Sequence, residues 1–463
     1  MKLFTFLGNS TLIFVLLFLS ACGDDSNSDP KPPQQPDATA VVVNPANVKQ
    51  EMVGFGGALT WYCDRVTSSS SKVAMADLMF TDLGIDIIRF KNWYYPDNYP
   101  TVKTTTSMSD DYSKAPWDAT NELYQLAKAR NANIKILLSS WGPPANLKSN
   151  GSTRATTGSN TLKKDGNGFM YDDFAQYWSD VLDYVPFNPD YISIQNEPTF
   201  SNTGWTTCQW AISETSDLPG YNTAFNTVYD KIKTRTFVPI MIGPESQDVS
   251  TFVSFANILK DNTNCPILAY HPYNINSGTS ASSIASSLQT IGNFSAKQNF
   301  LTEFSDNLDW FNTALFIHRT LTVANSSAYI YWKLAWNTPA SGTDAGMISV
   351  NSKGVYKVTP FFHLIKHFSK HVDAGYHRVE VASGNAALYT TAFMSPDEKK
   401  FTVIVINTGS ISDKIKTTIT GKTISSVSVV QSVAGSYYKA VTPVADEITL
   451  PSKSISTIVC TLP

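Results

Sequence analysis

Residues 191–200 read "YISIQNEPTF". Through Gln195 the apolar and polar side chains alternate with the period of a strand, and the run then breaks at Asn196-Glu197-Pro198. The question is what a strand would gain by ending on a carboxylate. Seven other short apolar runs follow the same plan, each ending in polar, Gly or Pro residues. They are "VGFGGALTWY" (53–62), "IDIIRF" (85–90), "NIKILLSSW" (133–141), "VPIMIGPES" (238–246), "CPILAYHPYN" (265–274), "NFLTEFSDN" (299–307) and "SAYIYWKLAW" (327–336). Between them lie segments with helical spacing of apolar residues, such as "DATNELYQLAKARN" and "MYDDFAQYWSDVLDYV". Alternating strand and helix signals predict parallel strands, and eight of them over about 300 residues predict a (β/α)8 TIM barrel spanning 53–368.

The texture changes after "FFHLIKHFSKHV". Short β-rich runs, "AALYTTAF", "KFTVIVINT", "ISSVSVVQS" and "SISTIVCTLP", alternate with Gly, Ser, Asp and Lys. Such patterning predicts a β-sandwich over 369–463. The run "TAVVVNPANVKQ", just ahead of the first barrel strand, has the same character. Residues 40–52 therefore read as a strand of that side domain, which would be built from both ends of the chain.

Upstream, residues 1–22 read as a secretion signal: Lys2, then the apolar "TLIFVLLFLS", too short for a comfortable membrane span. It ends in Leu19-Ser20-Ala21-Cys22, similar to a bacterial lipobox that would lipidate Cys22; the plainer reading is a cleaved signal with a chance cysteine. The polar, Pro-rich stretch 23–39 predicts a solvated tether. The expectation is an exported lipoprotein at the outer membrane or cell surface of a bacterium, touching the membrane only through its anchor and acting as a monomer.

Composition removes other classes. A net charge of -3 gives no electrostatic basis for a nucleic-acid partner. Cys63, Cys208, Cys265 and Cys460 lack paired metal-ligand spacing and no HExxH occurs, so no metal and no cofactor are expected. Export permits disulfides. Cys63 follows the first strand and Cys208 the fourth, so both belong to one barrel face and are expected to pair across it, with Cys265 at the opposite face. Ten Trp, 21 Tyr and 25 Phe suffice both for a core and for stacking surfaces.

In a TIM barrel, catalytic groups gather at the C-terminal ends of the strands, because the loops there form the pocket. Glu197 ends the fourth run at that face, and Glu303 in "FLTEF" ends the seventh at a matching depth. A pair of carboxyls facing one cavity is what glycoside hydrolysis requires: one donates a proton to the leaving oxygen, the other attacks the anomeric carbon. One such Glu alone reads as a salt bridge or cap; two on strands four and seven do not. Glu245 in "GPES" ends strand five and is assigned a structural role.

These residues resemble glycoside hydrolase family 30, in particular its bacterial xylanase branch, from about residue 50 to the C-terminus. The resemblance is carried by "VGFGGALT", "SSWGPPANLKSNG", "ISIQNEP", "LTEF", "SAYIYW" and "GVYKVTPFFHLIKHFSKHVDAGYHRVE", in that order and spacing. It implies a barrel with a side β-sandwich and a retaining mechanism on a polysaccharide, β-1,4-xylan, with Glu197 as acid/base and Glu303 as nucleophile. It further implies that Arg89 bonds near the nucleophile, Asn196 holds a sugar hydroxyl, Tyr273 contacts Glu303, and Trp141 and Trp332 stack on sugar rings. Members that read a glucuronate side group do so with an arginine just after the strand-eight aromatics. Here Ala335 and Trp336 stand there, with Lys333 the nearby cation in sequence, so strict dependence on the acid is not expected, and Trp336 would offer an apolar surface in its place. Another β-linked glycan, such as a β-1,6-glucan or a glucosyl or galactosyl linkage, is the alternative substrate, and a non-catalytic glycan-binding lipoprotein the alternative class.

Overall fold

The computed structural model describes residues 37–96, 114–305, 307–338 and 346–463. Cys22, the signal segment and nearly all of the tether lie outside them, as does most of the long loop after the second strand. Ala38–Pro463 forms one compact unit.

Eight parallel strands close into a barrel: Gly54–Ala58, Ile87–Lys91, Lys135–Ser139, Tyr191–Ser193, Ile240–Ser246, Ile267–Tyr270, Gln298–Leu301 and Ala328–Tyr331, called barrel strands one to eight. Closure is between strands eight and one, where Tyr331 pairs with Gly57. The glycines of "GFGG" permit this fit. A Cβ on Gly56 would stand 2.4 Å from the Ile87 carbonyl oxygen, and one on Gly57 2.8 Å from Leu334 Cβ, so only glycine lets the chain come this close. Helices return each strand to the next, with capping side chains where the sequence supplies them. Asp248 accepts from Thr251 N ahead of Val249–Leu259, and Asp309 accepts from Phe311 N and Asn312 N ahead of Trp310–Thr322. The strand interiors and inner helix faces form one apolar core.

Strand four departs from its expected length. It stops after Ser193, and residues 194–197 continue toward the rim as irregular backbone. That backbone stays tied to its neighbours, Asn196 N donating to Ser140 O (2.6 Å) and Glu197 N to Glu245 O (3.0 Å). Glu197 itself adopts a positive φ of 46°, a strained conformation for a non-glycine residue and one that clusters at functional sites.

The side domain is a nine-stranded sheet. Its N-terminal member, Thr39–Glu51, pairs antiparallel with His377–Ser383 and parallel with Asp413–Ile419. The sheet folds over on itself: Gln431 Nε2 near one end donates to Thr449 O near the other (2.8 Å), and both halves share an apolar core including Val41, Val403, Ile415 and Ile458. This is the sandwich built from both chain ends. The last barrel helix, Pro360–Ser369, locks it to the barrel through the buried His367, whose ring nitrogens meet Thr457 Oγ1 (2.8 Å) and Ser432 Oγ (2.7 Å).

The expected Cys63–Cys208 bridge is absent. Cys63, Cys208, Cys265 and Cys460 are all free, buried thiols. Cys63 turns inward at the start of helix Cys63–Thr67, its Sγ donating to Leu59 O (3.3 Å), while Cys208 packs beside Gly142. Sharing a barrel face did not bring the two sulfurs into one packing environment. Burial pushes the Cys63 thiol up to about 12 and the Cys208 thiol up to about 11, leaving both unreactive at neutral pH.

Candidate active site

Arg89, in barrel strand two, is the centre of the site. It is fully buried, and its planar guanidinium is shared among four groups. Nη1 donates to Glu303 Oε2 (2.6 Å), Nη2 to Asn196 Oδ1 (2.6 Å) and Nε to Ser139 Oγ (3.1 Å), with Glu245 Oε1 also 3.1 Å from Nε. A lysine has no such fork. Burial alone would favour loss of the Arg89 proton, but Glu245 and Glu303 outweigh it and bind the charge more firmly.

Both Glu303 oxygens are occupied: Oε2 by Arg89 and Oε1 by Tyr273 Oη (2.9 Å). Burial pushes the Glu303 carboxyl up, His271 and Arg89 pull it down, and the neighbouring Glu197 pushes it up again. The balance lies above the ordinary carboxyl value, with burial the largest cause. Glu197 is less enclosed and takes one side-chain contact, His271 Nδ1 at 3.1 Å from Oε1. An oxygen of Glu197 and an oxygen of Glu303 lie within 4.8 Å of each other.

Two residues that the sequence analysis did not single out belong to this site. His271, the first residue after strand six, bridges Glu197 through Nδ1 and Thr302 Oγ1 through Nε2 (3.0 Å). Burial opposes its charge, yet Glu303, Glu197 and Glu245 raise its pKa to about 9, which favours the form that presents Nδ1–H to Glu197. The second is Trp61, next to last in the first run. Its ring is met by Trp141 (5.3 Å), Trp332 (5.6 Å) and Trp336 (6.4 Å), all near edge-on. The expected stacking surfaces thus form one cluster, each ring mostly covered. Arg89 lies beneath it, 4.8 Å from the Trp141 ring centre and 5.7 Å from that of Trp332. Position at the end of an apolar run was the available signal for both residues.

Glu245 is wholly buried. Burial works against its charge, but Arg89 and then His271 hold the carboxyl well below the usual range. It serves as a fixed counter-charge to both cations. Glu197, His271 and Glu303 could geometrically surround a cation; the Arg89 and His271 charges already at those oxygens oppose one. Near Trp336 the fold adds a cation unseen in sequence. Arg65 donates through Nη1 to Asn337 Oδ1 and lies 4.9 Å over the Tyr62 ring, which itself packs on Trp336 at 5.0 Å, so Lys333 is not alone there.

The fold defines a (β/α)8 barrel with an attached β-sandwich and an acidic pair, Glu303 buried and Glu197 half-buried, beyond the ends of strands seven and four. Solved structures share this architecture. A conserved exported protein from Bacteroides fragilis superposes with a TM-score of 0.76 at 16% identity, over 91% of this chain and 100% of that one. A glycoside hydrolase family 30 subfamily 8 xylanase from Clostridium acetobutylicum does so at 0.69 and 20% identity, over 91% and 99%. An endo-β-1,6-glucanase matches at 0.68 and 15% identity, over 93% and 96%. No family model and no curated protein matches the sequence.

Proposed function

We propose that the chain is a retaining glycoside hydrolase of the family 30 type, acting on β-1,4-xylan. One observation carries the mechanism: one oxygen of Glu197 and one oxygen of Glu303 lie within 4.8 Å of each other. Retaining enzymes hold their carboxyls about 5–5.5 Å apart, whereas inverting ones leave about 6.5–9.5 Å for an intervening water. Glu303, held by Arg89 and Tyr273, attacks the anomeric carbon as the glycosidic C–O bond breaks and Glu197 gives its proton to the departing oxygen. Water then attacks the glycosyl-enzyme ester, losing a proton to Glu197 and freeing Glu303. His271 keeps Glu197 oriented through both steps. Asn196, its Oδ1 taken by Arg89, retains its amide hydrogens for a sugar hydroxyl.

The xylan assignment rests on the sequence resemblance and is supported by the fold shared with a xylanase. Because the β-1,6-glucanase shares that fold to the same degree, product analysis should cover neutral xylan, glucuronate-bearing xylan and β-1,6-glucan. The expected result is cleavage of both xylans, with kcat/KM on neutral and acidic xylo-oligosaccharides within tenfold. A hundredfold preference for the acidic chains would show that Arg65 or Lys333 reads the acid; cleavage of glucan alone would replace the substrate. Export and anchoring through Cys22 belong to the same proposal, and labelling with a radioactive fatty acid that is lost in Cys22→Ala would support them.

A further inference from the structure

Trp205 stands apart from the other tryptophans. Of the ten, all within the described residues, eight are buried and Trp310 is intermediate, whereas Trp205 is 51% exposed. A single exposed aromatic is ordinary on a protein surface. Two features make this one different.

The first is its place. Trp205 lies in the loop after barrel strand four, on the same rim as Glu197. Phe200 N donates to Glu197 O (2.9 Å), closing a turn, and the Phe200 ring meets the Trp205 ring edge-on at 6.2 Å. Trp205 therefore packs on the residue whose backbone closes the turn at Glu197, the residue proposed as acid/base. The Trp61 cluster belongs instead to the ends of strands one, three and eight, over Arg89.

The second feature is rigidity. The Trp205 carbonyl accepts from Ala155 N (2.8 Å), Gly204 N donates to Ala155 O (2.8 Å), and Trp205 N donates to Asn202 O (3.0 Å). Asn160 fixes both flanks through Ser201 Oγ (2.9 Å) and Thr207 Oγ1 (2.8 Å). A ring held this way loses little freedom when a ligand covers it, which is what a binding platform requires.

We propose that Trp205 is a stacking platform for the sugars on the leaving-group side of the scissile bond. The inference rests on the catalytic reading above: Glu303 works beneath the sugar that becomes bound to enzyme, Glu197 protonates the departing oxygen, and whatever lies outward from Glu197 faces the departing chain. Trp205 then makes the enzyme an endo-acting one that grips chain on both sides of the bond, with the Trp61 cluster holding the other side.

The test uses hexasaccharides of the glycan that wild-type enzyme cleaves in the product panel, xylohexaose on the reading above or the β-1,6-linked glucohexaose otherwise, labelled at the reducing end. Wild-type cleavage should leave two or more sugars on the labelled fragment. In Trp205→Ala the cleavage position should shift several-fold toward the reducing end. Its kcat/KM on the hexasaccharide should also fall about tenfold relative to its kcat/KM on the 4-nitrophenyl β-disaccharide, and Trp205→Tyr should restore both. An unchanged cleavage pattern in Trp205→Ala, or equal loss on both substrates, overturns the platform while leaving the hydrolase reading intact. Wild-type protein inert on every glycan overturns that reading, and the platform with it.

Discussion

Replacing Arg89 by Met should remove the counter-charge from two carboxylates that have almost no contact with water. The side chains of Glu245 and Glu303 are 0% and 7% exposed. Removing one partner of a buried ion pair costs about 3–5 kcal/mol, because a buried charge is left uncompensated, and that is the expected deficit at pH 7. Its pH dependence distinguishes this cause from simple loss of packing. In the wild type the folded Glu245 pKa is depressed below its ordinary 4.5; the associated stability is present above that value and is lost as pH falls through the lower folded pKa. In the variant, burial without Arg89 raises the carboxyl pKa, so the folded state binds a proton that the unfolded state does not hold until about pH 4.5. Each proton taken up narrows the deficit by about 1.4 kcal/mol per pH unit, about 2.7 kcal/mol between pH 7 and pH 5. Urea denaturation of wild type and Arg89→Met across pH 5–8 measures this directly. A deficit that does not vary with pH, or one below about 1 kcal/mol at pH 7, would refute the reasoning.

Glu303→Gln should abolish turnover while preserving glycan binding, since the near-isosteric amide cannot form the ester; calorimetric titration with an oligosaccharide checks the second half. Glu197→Gln should lose polysaccharide hydrolysis yet keep measurable activity on activated aryl glycosides, whose leaving groups need no proton, and near wild-type activity on polysaccharide would rule out its role. His271 should shape the alkaline limb. Its folded pKa, raised from 6.5 to about 9, contributes stability that is complete below pH 6.5 and lost as pH rises through 9. The kcat/KM profile should fall near pH 9 in the wild type and change shape in His271→Gln; an identical limb in the variant would exclude this. Alkylation without reductant, after unfolding, should modify Cys63, Cys208, Cys265 and Cys460, and a bridged Cys63–Cys208 peptide would contradict the structure.

Much of the architecture was legible because periodicity is a local property. Eight apolar runs with helices between them admit few arrangements other than a closed parallel barrel, and "NEP" and "LTEF" end two of those runs at the face where loops form a pocket. The two chain ends likewise carried their β character openly, through alternation in "TAVVVNPANVKQ" and "KFTVIVINT". Position at the C-terminal end of a strand sufficed to nominate Glu197 and Glu303, while Arg89 was nominated by the family resemblance.

What the tertiary structure decided were distances between residues remote in sequence. Whether two cysteines on one face bond depends on where their sulfurs pack, and Cys63 turns to Leu59 instead of Cys208. Whether Lys333 is the lone cation by Trp336 depends on a helix after strand one that carries Arg65 to Asn337. His271 gains its charge from three glutamates contributed by strands four, five and seven, a sum over groups that no single segment contains. The approach of one oxygen of each acid to within 4.8 Å comes from barrel closure and from the irregular backbone of residues 194–197. Local pattern sets what each side chain faces; only closure of the barrel sets what it meets.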